Sequence, residues 1–191
     1  LSFFSILATY LLTTYGWSLT LNALADNKIT FFESVAAVNT SNLMKYIPGK
    51  VWSYALQMYW LMNAGYSKSL VLYVNLITLY VSLITATILG LGYLALSPDI
   101  LPLPFTMTLL GTLIAFDLWF IKYNSPVIKK IILMLNKVFK RNIGYYSIQR
   151  THFLYLHAIN FLASFCFGIG AYFLCFGIGL DVADRDIFPV M

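Results

Sequence analysis

The stretch "NLMKYIPGKVWSY", residues 42–54, interrupts a chain that is otherwise apolar almost throughout. Two lysines, a proline and a glycine fall within residues 45–50, and Trp52 follows. Proline removes a backbone donor and glycine frees the chain to turn, so a helix arriving at Pro48 stops there. How the two flanks of this break are disposed decides the fold.

Upstream, "ITFFESVAAVNTSNLMKYI" fits a helix of about 15 residues that carries Glu33, Asn39, Ser41 and Asn42. That is short of the roughly 20 residues a helix needs to cross a bilayer core. Downstream, a second short helix is expected from about Val51 to Asn63, with Gly65 as its natural stop. The spans that flank residues 28–68 both end on the same side here. Two arrangements satisfy this. In one, the segment is a re-entrant hairpin, whose non-helical tip must be buried in protein or line a wet cavity, like the broken helices of transporter sites. In the other, both helices lie flat on the membrane surface and the lysines are simply solvated. In a hairpin Lys45 and Lys50 flank the tip and need a charge partner. A lipid phosphate suits them, because lysine binds phosphate as a point charge.

Working outward, four segments are long enough to span: about Phe3–Ala25, Ser69–Leu96, Leu103–Ile121 and Thr151–Leu180. Sixty per cent of the residues are hydrophobic and ten per cent charged, against about 25% charged in soluble domains. The net charge of +5 is confined to short segments between apolar runs, the pattern of a membrane protein rather than of a nucleic-acid binder. Residues 122–150 carry Lys122, Lys129, Lys130, Lys137, Lys140, Arg141 and Arg150 and no acid. The positive-inside rule makes that loop cytoplasmic. Asp99, in the turn 97–104, and Asp181, Asp184 and Asp186, with Arg185, then fall outside. Leu1 also starts outside, so a further span is expected before it.

Within the basic loop, "SPVIKKIILMLNKVFKRN" is expected to start a separate interfacial helix, with Ser125 as N-cap and Pro126 at the first position. Its apolar side is Ile128, Ile131, Ile132, Leu135, Val138 and Phe139; Lys129, Lys130, Lys137 and Lys140 would meet anionic headgroups or simply set topology. Thr78, Ser82, Ala86 and Gly90, and the repeated "CFGIG" at 166–170 and 175–179, read as helix-packing surfaces of small residues. Cys166 and Cys175 lie about 13 Å apart along one helix, too far for a disulfide. Asn75 and Asn160 are expected to make interhelical hydrogen bonds.

Asp117 is an intramembrane acid and so a candidate functional group. It serves either proton coupling or a structural pair with Lys122 or a lysine of residues 45–50. His152 and His157 are five apart, off a common helix face, so no metal site is expected. No nucleophile–base or carboxylate pair points to an enzyme, and no cofactor is implied.

"KYIPGKVW" (45–52), followed by "NAGYSKS" (63–69), resembles the lysylphosphatidylglycerol synthetase transmembrane-region family, also called flippase-like. That family includes the membrane half of the bacterial multiple peptide resistance factor. Tyr46, Ile47, Pro48, Gly49, Lys50, Trp52 and Gly65–Ser67 match its pattern. The resemblance tips the choice toward the hairpin. It implies a bacterial or archaeal cytoplasmic-membrane domain that binds, and translocates, anionic phospholipid or a lipid-linked substrate. Lys45, Tyr46, Pro48, Gly49, Lys50 and Trp52 are then the substrate-binding block, with Asp117 as a further member. Members of the family are longer, with a helix before the position of Leu1 and a Pro-rich segment further on, so residues 1–191 read as one transmembrane domain cut from a longer one. Aminoacyl transfer is not carried over, since these residues hold no synthetase domain. The expected fold is all-α: a polytopic membrane bundle with about four spans, a Pro-Gly-broken re-entrant hairpin at 28–68 and a basic interfacial helix. The alternative function is a non-transporting membrane subunit that presents lipid to a partner enzyme.

Overall fold

The computed structural model describes residues 1–43, 51–96, 101–139 and 146–178. Lys45, Tyr46, Pro48, Gly49 and Lys50 therefore lie outside the described residues, as do Asp99, Lys140, Arg141 and the C-terminal charges. The described residues form six helices: α1 (Ser2–Leu24), α2 (Phe31–Leu43), α3 (Val51–Asn63), α4 (Lys68–Leu96), α5 (Leu103–Phe139) and α6 (Arg150–Gly177). There is no strand among the described residues. Three helical stretches are long and apolar enough to cross a membrane, at 68–96, 103–123 and 150–177. α1 is a helix of 23 residues, as expected, but is not one of these three. Its hydroxyls, amide and tyrosines dilute its apolar character.

Local chemistry explains the boundaries. Thr30 caps α2: the Glu33 N–H donates to Thr30 Oγ1 (3.3 Å), and Glu33 Oε2 accepts from both the Thr30 N–H and its hydroxyl (2.8 Å each). This reciprocal box satisfies donors that the helix start leaves orphaned. α3 ends at Gly65, whose φ of +90° is left-handed. Tyr66 N–H reaches the Leu61 carbonyl and Gly65 N–H the Met62 carbonyl, each at 3.0 Å. That pairing closes the helix end, and only glycine adopts the angle without strain. Asn22 locks the turn after α1, accepting from the Ile29 N–H (2.8 Å) and donating to its carbonyl (2.9 Å).

α5 departs from expectation. No separate helix begins at Ser125; α5 runs without interruption from Leu103 to Phe139 with Pro126 inside it. Proline has no N–H to give to the carbonyl four residues back, which here belongs to Lys122. Arg150 takes that place, its Nη2 donating to the Lys122 carbonyl at 3.1 Å. The donor comes from the start of α6, so nothing near Pro126 in sequence announces it. Ile132, beyond the proline, is buried in the bundle core, while Leu133 and Met134 are exposed.

α4 is the central helix, and its two faces build two cores. Tyr73, Ile77 and Val81 pack with Ile121 and Ile132 of α5, with Ile148, and with Phe153 and Leu156 of α6. On the other face Leu70, Val71 and Val74 pack with Trp17 and Leu21 of α1, Ile29, Leu61 of α3 and Tyr66. Burial of apolar surface drives association weakly among lipid tails, so close approach and hydrogen bonds carry more of the specificity. α1 and α6 form the most extensive helix pair, and two glycines permit it. A Cβ on Gly170 would stand 3.1–3.2 Å from Ile6, Ser2 and Ser5, and one on Gly16 would stand 3.3 Å from Ile159. Gly90, Gly168 and Gly177 meet nothing within 4 Å, so the small-residue surfaces expected on α4 and α6 are engaged only in part.

Candidate functional site

α2 runs back along α1. Phe31 stacks edge-on against Tyr15, with ring centroids 6.2 Å apart, and Tyr10 donates to Asn39 Oδ1 at 2.8 Å. From Asn22 to Tyr10 the contact climbs about 18 Å, at 1.5 Å per residue. α3 packs on α2 and returns toward the start of α4. The two helices thus place Ser41, near the end of α2, and Ser53, near the start of α3, alongside the flanking helices.

A cavity of about 370 Å³ opens there, between α1, α2, α3, α4 and α6. Its wall mixes polar groups with apolar ones such as Val38 and Leu79, and carries no charged side chain among the described residues. α1 supplies Tyr10, Thr13, Thr14 and Trp17; the short helices supply Ser41, Ser53, Tyr54 and Gln57; α4 supplies Asn75, Thr78 and Ser82; α6 supplies Asn160. A buried chain of hydrogen bonds organises it. Trp17 Nε1 donates to Asn75 Oδ1 (2.8 Å), and Asn75 Nδ2 donates to Gln57 Oε1 (3.0 Å). Ser82 Oγ donates to Asn160 Oδ1 (2.9 Å), while Asn160 Nδ2 is held by the Leu156 carbonyl (2.9 Å). The interhelical roles expected for Asn75 and Asn160 are both found.

One hydroxyl stands apart. Thr9, Thr13, Ser18 and Thr20 return their hydroxyls to carbonyls of α1 itself. Thr14, 2% exposed, has no such partner, yet it lines the cavity. Leaving a buried hydroxyl unsatisfied costs about 1–3 kcal/mol unless water or a ligand meets it.

Asp117 lies elsewhere, between α4, α5 and α6. Tyr80 donates to its Oδ1 at 3.0 Å, and His157 Nε2 stands 3.4 Å from its Oδ2. Its ion-pair partner among the described residues is this histidine rather than Lys122, whose ammonium lies 5.3 Å over the Tyr123 ring. Trp52 is 58% exposed on α3 and does not line the cavity. Of the two described members of the expected block, then, neither belongs to the cavity wall. Among the described residues no three His, Cys, Asp or Glu side chains converge as metal ligands would, and Cys166 and Cys175 are both free.

Sequence reasoning missed Trp17, Gln57 and Thr14, which are ordinary residues until folding brings three helices together. It also missed His157 as the partner of Asp117. It missed the capping box as well, although Thr30-x-x-Glu33 is a local signature. The chain matches no protein-family model, no curated protein and no solved structure.

Proposed function

We propose that this chain is a membrane domain that holds the polar headgroup of an anionic phospholipid or lipid-linked substrate in the α1–α4 cavity and passes it across the bilayer. The observation that carries this reading is the cavity itself: a space bearing many hydroxyl and amide groups, with no charge among the described residues, inside helices whose outer faces expose Leu76, Leu83, Phe161 and Phe165. Polar groups at such depth are expensive and are retained where they line a path or a site.

On this reading α1 is the fourth span, and α2 and α3 are the two arms of a re-entrant hairpin. Lys45 and Lys50 lie in the segment that joins the cavity residues Ser41 and Ser53, where they meet the lipid phosphate. The basic end of the bundle is cytoplasmic. The resemblance of residues 45–52 to the flippase-like family supports the same assignment of substrate.

The test is translocation of fluorescent phosphatidylglycerol in liposomes, scored by a membrane-impermeant quencher. Wild type should expose inner-leaflet lipid, and Lys50→Ala and Asn75→Ala should slow it. Equal rates in all three proteins would remove the cavity and hairpin from the path. No movement in any, with the protein folded, would instead favour a docking subunit that presents lipid to a partner enzyme.

A further inference from the structure

We propose that Tyr80, Asp117 and His157 form a proton-binding site inside the bundle, linked through α4 and α6 to the cavity. Three observations carry this. The carboxylate is engaged by two different helices, α4 at Oδ1 through Tyr80 and α6 at Oδ2 through His157. The Asp117 and His157 side chains are only 9% and 10% exposed. And among the described residues His157 Nε2 has no hydrogen-bond partner: its 3.4 Å approach to the carboxylate is longer than the 2.7–2.9 Å of a charge-assisted bond. An amide would bridge these helices without a charge. An acid beside an imidazole can also accept and release a proton.

The charge arithmetic is simple. With one proton on the imidazole and none on the carboxylate the pair carries −1. A proton taken from water onto the carboxyl makes it neutral, and release returns that proton to water. Among the described residues no other charged group is paired with Asp117. α1 holds no acid, lysine, arginine or histidine. α4 faces the pair with Tyr80, and its lone lysine is at its first residue, Lys68. Lys122 on α5 sits over Tyr123, and Arg150 on α6 is committed to the Lys122 carbonyl. The remaining neighbouring imidazole, His152, is five residues from His157 on α6. A change of net charge here therefore acts on helix packing directly.

The cavity lies one turn away. His157 precedes Asn160 by three residues on α6, and Tyr80 precedes Ser82 by two on α4; Ser82 and Asn160 bond to each other in the cavity wall. Any shift of α6 against α4 at the pair moves that wall. Linkage then runs both ways, from proton to substrate and back. This second part rests on the cavity being a substrate site.

The test is infrared titration of the protein in phosphatidylglycerol liposomes between about pH 2 and 9, which brackets ordinary carboxyl and imidazole values. A protonated-carboxyl carbonyl band should disappear as pH rises, be absent in Asp117→Asn, and titrate at a different pH in His157→Gln and Tyr80→Phe. Asp117→Asn keeps the shape of the acid and so guards against simple unfolding. A band that is unaffected by Asp117→Asn, or that titrates identically in the His157 and Tyr80 variants, would overturn the site. These outcomes do not depend on lipid movement. In the same liposomes, phosphatidylglycerol translocation should vary with pH in wild type and flatten in Asp117→Asn; a wild-type rate independent of pH would overturn the linkage while leaving the titration intact.

Discussion

The two faces of α4 solve the problem of polar groups in an apolar bundle in opposite ways. Toward α1 and α3 the helix presents Asn75, Thr78 and Ser82 to an uncharged, roomy cavity, where hydrogen bonds are spread over many weak partners. Toward α5 and α6 it presents Tyr80 to a closed aromatic core, with Phe120 and Phe153 beside a single acid–imidazole pair. The first face tolerates substitution because each bond contributes little and space remains. The second is intolerant, because a buried charge with one partner removed has nowhere else to turn.

That contrast can be broken by mutation. Asp117→Ala leaves the Tyr80 hydroxyl and the His157 ring without their partner and should cost the most, on the order of 3 kcal/mol at about 1–3 kcal/mol per stranded polar group; the thermal midpoint in lipid nanodiscs reads it. Gly170→Leu comes next, at about 2 kcal/mol for overpacking, because a side chain there meets Ile6, Ser2 and Ser5. Asn75→Ala should cost only about 1 kcal/mol, since two intramembrane hydrogen bonds average roughly 0.6 kcal/mol each. A loss as large as that of Asp117→Ala would erase the distinction between the faces.

A subtler effect concerns α5. Arg150→Ala should destabilise by about 1 kcal/mol, the net value of one hydrogen bond, but should cost almost nothing in a Pro126→Ala background, where residue 126 again donates to the Lys122 carbonyl. A double-mutant cycle read by the same midpoint shows this; additive losses would detach Arg150 from the proline. The smallest effect belongs to the start of α2. The Thr30 contacts hold the Glu33 carboxyl below its ordinary range. Its stabilisation is therefore present above the unfolded-state value and is lost as pH falls through the folded one. Glu33→Gln should lower the midpoint slightly at neutral pH and leave it unchanged in strong acid.

Legibility in sequence follows the range of the interaction. α3 has the expected bounds, Val51 to Asn63, because its stop at Gly65 is written in adjacent residues. α1, α4 and α6 also form close to where apolar runs place them. Pro126 misled because its local signature is that of a helix start, whereas the donor that lets the helix continue arrives from Arg150. Asp117 was recognisable as an exceptional residue, yet its partners sit on two other helices, 37 and 40 residues away along the chain. The cavity was least legible: serine, threonine and glutamine are unremarkable until five helices turn them to one space.

The most direct test of a wet, headgroup-sized cavity is thiol labelling at Thr14, whose buried hydroxyl has no partner among the described residues. A Thr14→Cys variant lacking the native cysteines would be treated with a small membrane-impermeant thiol reagent, beside Leu83→Cys on the exposed face of α4. The account predicts labelling of Thr14→Cys but not of Leu83→Cys in phosphatidylcholine vesicles, and slower labelling of Thr14→Cys in phosphatidylglycerol vesicles, as the anionic headgroup occupies the site. A Thr14→Cys variant as inert as Leu83→Cys in both membranes would contradict it.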